Sequence, residues 1–197
     1  MLDEADQLIA LGFRAPIERL LRTLGRGKAG AASQTLLFSA TLGGELTRVA
    51  EAATRGGEHT RLVDVVGGAD APTNAHAEQA LTVTSAGAQT AELLRLLLAR
   101  CAERDHKVIV FFAAAALAES YAILFRALGV RGVCEMHSRR SHDERAATAE
   151  KFRRETDVVM FSSDVSARGV DYPDVTHVLQ FGLPSSPEQY IHRCVTD

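Results

Sequence analysis

The stretch KVIVFF, residues 107–112, is six residues of almost unbroken apolar character, too short for a typical helix and without the alternation of a half-exposed strand. Such a run, rich in β-branched and aromatic residues, suits a strand buried on both faces of a sheet. Three more strand candidates follow: VRGVCEMH at 130–137, DVVMFSS at 157–163 and VTHVLQFG at 175–182. Helical spacing fills the intervals, from Thr90 to Ala102, through an alanine-rich stretch ending at Leu128, and from around Asp143 to Arg154. Strands alternating with helices of this length predict an α/β fold with a largely parallel sheet.

The first third repeats the theme in a less complete form. Leu8, Ile9, Leu11 and Phe13, then Ile17, Leu20, Leu21 and Leu24, predict two short helices. GRGKAGAAS, 25–33, reads as a loop, QTLLFSAT, 34–41, as a buried strand entering a polar turn, Glu45 to Thr54 as a helix, and RLVDVV, 61–66, as a strand. GGADAPTNAHAE, 67–78, has the small polar residues, glycines and proline of a linker. LTVT, 81–84, then reads as the first strand of a second segment. The expected organisation is a domain over 1–66, a linker over 67–78 and a domain over 79–197.

A net charge of −3 argues against coating nucleic acid by bulk electrostatics, so any such contact must be local. Cys101, Cys134 and Cys194 match no disulfide or metal spacing, which points to an intracellular, reducing environment without specifying the compartment. No apolar run reaches the ~20 residues that span a bilayer, so no membrane partner is expected. His137 and His142 are five apart rather than four, a poor spacing for a zinc shared on one helix face.

The chemistry-bearing stretches are spread along the chain. In LDEADQLIALGF, 2–13, Asp3 and Glu4 stand where a strand would end, the usual place for ligand chemistry in open parallel sheets. One carboxylate there can hold Mg²⁺ through water while its neighbour orients a hydrolytic water. The same acids could equally cap a helix N-terminus. LFSAT, 37–41, could be a hydroxyl-capped turn, and MHSRRSHDER, 136–145, a solvated helix start. SSDVSARGVD, 162–171, offers a Gly turn where backbone can approach a ligand, and YIHR, 190–193, comes near the end.

Taken in this order, these motifs resemble the DEAD-box ATP-dependent RNA helicase family of superfamily 2, over essentially the whole chain. VLQFGLPSSPEQYIHR is similar to the mitochondrial-type branch. The resemblance implies two RecA-like parallel-sheet domains in tandem, the first truncated on its N-terminal side and the second nearly complete. It implies ATP and Mg²⁺ as cofactors, with RNA held mainly through its sugar-phosphate backbone. Helicase-regulating proteins and a monomeric state are further expectations. Asp3, which would bind Mg²⁺ through water, and Glu4 match the catalytic acids. Asp6, Ser39, Thr41, His192 and Arg193 match residues coupling nucleotide state to domain closure. His137, Arg139, Arg145, Ser163, Arg168 and Gly169 match RNA-contacting positions, with Arg140 in the same segment, and Asp171 matches an ATP-ribose contact. Ser163 and Asp164 stand where the family more often has Thr-Asp.

The pattern also departs from the family. No G-x-x-x-x-G-K-[ST] occurs, so a phosphate cradle is missing from these residues. After His192 and Arg193 the chain reads Cys194, Val195, Thr196, Asp197 in place of the glycine-arginine run that carries the arginine fingers. The expectation is a piece of a helicase core running from motif II to the start of motif VI, inactive in isolation. The alternative is a truncated, non-catalytic protein binding RNA or a partner.

Overall fold

The computed structural model describes residues 1–10, 12–26, 34–39, 44–53, 61–63, 78–164 and 172–194. Its contacts divide the chain into two compact units, Met1–Pro72 and Thr73–Asp197. The break falls within the glycine- and alanine-rich stretch 67–78.

In the first unit, helices α1 (Ala5–Ala10), α2 (Arg14–Arg26) and α3 (Gly44–Ala53) accompany one parallel bridge, Leu2 to Leu37. Leu2 N donates to Leu36 O at 2.8 Å and Phe38 N donates to Leu2 O at 2.8 Å. Gly12, at φ 82°, makes the turn between α1 and α2 that a residue with a Cβ would resist. The buried apolar side chains here are few, Ala5, Ile17 and Val49 among the described residues, whereas Leu36 and Phe38 are about half exposed. Of the expected buried strand over 34–41, residues 34–39 carry a single bridge, and 40–41 lie outside the described residues. Residues 61–63 of the expected strand RLVDVV form no ladder and are exposed, and 64–66 lie outside the described residues.

The second unit is built on a four-stranded parallel sheet, in the order β2-β3-β1-β4. Its elements run α4 (Gln89–Cys101), β1 (Lys107–Phe112), α5 (Ala115–Ala127), β2 (Val133–Met136), α6 (His142–Arg154), β3 (Val158–Ser162), β4 (His177–Phe181) and α7 (Pro187–Cys194). Strand β1 is interior, flanked by β3 and β4, and all six of its residues are buried. Period-two geometry then sorts its side chains onto two faces. Val108, Val110 and Phe112 pack with Leu93 and Leu97 of α4 and with Ala118, Ala122 and Phe125 of α5. Ile109 and Phe111 join Phe152 of α6, Met136 and Tyr172 on the other face. Helices thus cover both faces, the doubly wound arrangement expected of a parallel sheet.

Lys107 continues the second face and is buried, yet its ammonium donates to Arg153 O at 3.1 Å and Pro173 O at 3.0 Å. These bonds tie the end of α6 and the segment before β4 to the start of β1. Gly132, at φ 70°, passes so close to β3 that a Cβ would lie 2.3 Å from Asp157 O. Among the described glycines it alone is required by close approach.

One expectation fails outright in this unit. LTVT forms no strand: Leu81 and Val83 are 84% and 86% exposed, and the segment joins no sheet. Its β-branched residues have strand propensity, but that preference is realised only against a neighbouring strand or core, which this segment lacks.

Candidate nucleotide and nucleic-acid site

In the first unit, the bridge sets Asp3 and Ser39 at the ends of two parallel neighbours, because each follows its paired residue in the same direction. Ala5 N donates to Phe38 O at 3.0 Å, closing the turn around Asp3 and Glu4. Asp3 is exposed, and its Oδ1 accepts from Glu4 N at 3.0 Å. Glu4 has φ 47°, a left-handed conformation that costs a glutamate on the order of 1 kcal/mol. Strain of this kind clusters at functional sites. Asp6 lies in the first turn of α1, and Thr41 lies outside the described residues. Among the described residues no group of three or more His, Cys, Asp or Glu is placed to hold a metal. One or two hard carboxylates fit Mg²⁺, which usually takes its remaining ligands from water and phosphate.

In the second unit, four strands end on one edge of the sheet, and the predicted motifs sit there because they follow β2, β3 and β4. Ser163 N donates to Met136 O at 3.1 Å and Ser162 Oγ lies 2.8 Å from the same oxygen, fastening the ends of β2 and β3 together. Ser163 is itself buried. Next to it, Asp164 receives Arg193: Nε donates to Oδ1 at 2.8 Å and Nη2 lies 2.7 Å from the same oxygen. The guanidinium is 1% exposed, lies 5.4 Å from the centre of the Phe111 ring and reaches Gln180 Oε1 at 3.4 Å. Arg193 therefore joins α7 to the end of β3 and has no solvent-facing surface. His192, one residue earlier, is partly exposed.

Around β2 the chain assembles a charged cluster. Glu135 is buried; Arg126 Nη1 donates to its Oε1, while Oε2 accepts from Arg140 Nη2 at 2.9 Å and from His137 Nε2 at 3.0 Å. A carboxylate only accepts, so this geometry puts a proton on Nε2. Burial would raise the Glu135 pKa, but the hydrogen bonds from His137, Arg140 and Arg126 outweigh it and hold the carboxyl at about 2. His137 is 0% exposed, with Nδ1 buried and without a hydrogen-bond partner. Drawn inward by Glu135, the His137 side chain presents no atom to solvent, so only its backbone is placed to meet RNA.

Arg139 is exposed and Arg145 is half-buried. Arg139 Nη1 pairs with Glu119 Oε2 at 2.6 Å while its side chain stays 57% exposed. Arg145 sits in the first turns of α6, whose start is fixed by a capping box between Ser141 and Glu144. Arg168, Gly169 and Asp171 lie outside the described residues. The three cysteines are free, and burial raises each thiol, Cys134 to about 12, which makes none of them a nucleophile near neutral pH.

Sequence reasoning missed Glu135 and the pairing of Asp164 with Arg193. Glu135 announces itself only as one charge inside the apolar run VCEM, a pattern that calls for buried partners. The partnership of Asp164 with Arg193 spans 29 residues and left no local signal.

A parallel sheet wrapped on both faces, with its polar residues gathered at one strand edge, is the architecture of nucleotide-driven RecA-like motors. Residues 88–195 match the family profile described as the helicase conserved C-terminal domain. Over 194 residues the chain is 41% identical to DEAD-box ATP-dependent RNA helicase 48 and 37% identical to DEAD-box ATP-dependent RNA helicase 25, both of Oryza sativa subsp. japonica. Those alignments cover 98% of this chain but 23% and 31% of the relatives, so the chain spans about a third or less of their length. Among solved structures, Mss116p bound to single-stranded RNA and AMP-PNP is similar with a TM-score of 0.81 and 26% identity, over 98% of this chain and 39% of that one. Dbp5 of S. cerevisiae bound to RNA and ADP BeF3 gives a TM-score of 0.73 and 25% identity, over 98% and 48%. The chain belongs to the DEAD-box helicase family.

Proposed function

We propose that this chain serves an ATP-dependent RNA helicase, its second unit holding the RNA backbone and its first contributing the hydrolytic acids. The observation that carries the reading is the common edge of the second sheet. Segments 136–145 and 162–164 leave the sheet together there, the first carrying the exposed side chain of Arg139 and the half-buried one of Arg145. Point cations of this kind contact phosphates and carry no base information. Recognition would be tolerant of sequence and sensitive to salt. Ultraviolet crosslinking of single-stranded RNA to the protein, mapped by mass spectrometry, should place contacts in 137–145 and 162–171. Crosslinks confined to the opposite edge, around His106 and Arg131, would overturn the assignment.

In the first unit, Asp3 would hold Mg²⁺ through water and Glu4 would orient the attacking water. The ion supplies charge neutralisation at the phosphates when bound. Asp164 and Arg193 fit a coupling role better than a catalytic one, since the guanidinium is consumed in a buried pair. Its loss would free α7 from the end of β3.

We also propose that these 197 residues do not turn over ATP by themselves, since the sequence holds no G-x-x-x-x-G-K-[ST] cradle. RNA-stimulated phosphate release should be at background, and a turnover that vanished in Glu4→Gln would sink this claim. A monomeric state and protein regulators complete the proposal.

A further inference from the structure

We propose that Glu135 is the positioning residue of the RNA-facing segment 137–145, acting through Arg140; the inference rests on the function proposed above. The arrangement begins at a sheet edge. Strand β2 is an outer strand, and Arg126, from the last turn of α5, donates to its carbonyl Val133 O through Nε at 3.3 Å and Nη2 at 3.1 Å. This occupies the unpaired edge, and the third nitrogen of the same guanidinium reaches Glu135. Glu135 passes the connection outward. Its Oε2 accepts from Arg140 Nη2 at 2.9 Å and from Nε at 3.3 Å, while Arg140 N donates to His137 O at 3.1 Å. The turn 137–140 is thus closed by its own backbone bond and clamped from inside by one carboxylate.

The clamp continues into α6. Arg140 Nη1 donates to Glu144 Oε1 at 3.4 Å, and Glu144 Oε2 accepts from Ser141 N and Ser141 Oγ, each at 2.8 Å. A single chain of alternating charge, Arg126, Glu135, Arg140, Glu144, therefore links α5, β2, the turn and the start of α6. Two consequences follow for RNA. Arg140, 35% exposed and neutralised by two carboxylates, is withheld from phosphate and serves as scaffold. Arg139, in the turn, and the half-buried Arg145, in the first turns of α6, are held by a framework whose conformation is set before RNA arrives. Preorganisation of this kind raises affinity by removing the ordering that binding would otherwise require. Glu135 touches no RNA in this arrangement, so its effect is exerted entirely through its partners.

The test compares wild type with Glu135→Gln and Arg140→Met by amide hydrogen exchange and by anisotropy of a fluorescent single-stranded oligoribonucleotide. Arg140→Met leaves Arg126 and His137 on Glu135, and so keeps the proposal open to test should Glu135→Gln fail to fold. Exchange at 138–145 should rise at least tenfold in either variant, with β1 and β3 amides still protected. RNA affinity should fall about five- to tenfold in each, with the double variant no weaker than the weaker single one. Unchanged exchange at 138–145 in Arg140→Met overturns the positioning role, as do additive losses of affinity. A wild-type protein that binds no RNA overturns the functional reading instead, and the exchange data still decide whether Glu135 orders the turn.

Discussion

Replacing Glu135 by Gln should lower stability by an amount that depends on pH in one direction. The carboxyl is held at about 2 in the folded chain against an ordinary value of 4.5. Because the folded value is the lower one, its contribution is fully present above about pH 4.5 and is lost as pH falls toward 2. At 1.36 kcal/mol per pH unit the difference corresponds to about 3 kcal/mol. The Arg126 and Arg140 side chains are 43% and 35% exposed, so solvent screening reduces this to on the order of 2 kcal/mol. Urea unfolding followed by tyrosine fluorescence is a suitable assay, for Tyr121, Tyr172 and Tyr190 all lie in the second unit and the chain has no tryptophan. The gap between wild type and Glu135→Gln should be about 2 kcal/mol at pH 7 and less than half of that at pH 3. A gap that stays constant from pH 7 to pH 3 would show that the carboxylate charge is not what stabilises the cluster.

Gly132→Ala should destabilise the second unit by roughly 3 kcal/mol or more, since the new Cβ meets backbone at 2.3 Å, whereas Gly129→Ala, with nothing within 4 Å, should lose about 1 kcal/mol from its positive φ alone. Equal losses in urea would remove the close-approach argument. Asp164→Asn keeps an acceptor for Arg193 Nε but strands a buried charge, and a loss of about 2–4 kcal/mol is expected, with less than 1 kcal/mol contradicting the account. Glu119→Gln should free Arg139 for phosphate and tighten RNA binding two- to threefold while leaving thermal stability nearly unchanged, because exposed pairs contribute little; weaker binding would reverse the role given to Glu119.

The parts of the second unit that were legible in the sequence are those where local pattern and tertiary context agree. KVIVFF could be read as an interior strand because burial on both faces leaves no position for a polar residue after Lys107, and the structure puts helices on both faces. The helix expected around Asp143 to Arg154 is His142–Arg154, its start set by a local capping box. What escaped reading depends on partners distant in sequence. LTVT has the composition of a strand and no strand beside it. The burial of Lys107 is made tolerable by carbonyls 46 and 66 residues away, partners that no local pattern announces. His137 looked like a surface ligand within a polar motif, and only the neighbouring Glu135, drawn inward by strand alternation, explains why it points to the interior. In the first unit a single bridge pairs Leu2 with Leu37, bringing the segments that carry Asp3 and Ser39 together, which no periodicity could have supplied.

The most direct test of the central claim is a titration of a fluorescent single-stranded oligoribonucleotide with the protein at several salt concentrations, for wild type and for the Arg139→Ala, Arg145→Ala pair. If these two side chains hold the backbone, wild-type affinity falls with salt and the pair loses about 1.4 from the slope of log K against log salt, at ~0.7 per phosphate contact. Base sequence should change either affinity little. An unchanged slope in the pair, or binding indifferent to salt, would contradict the assignment of this sheet edge to RNA.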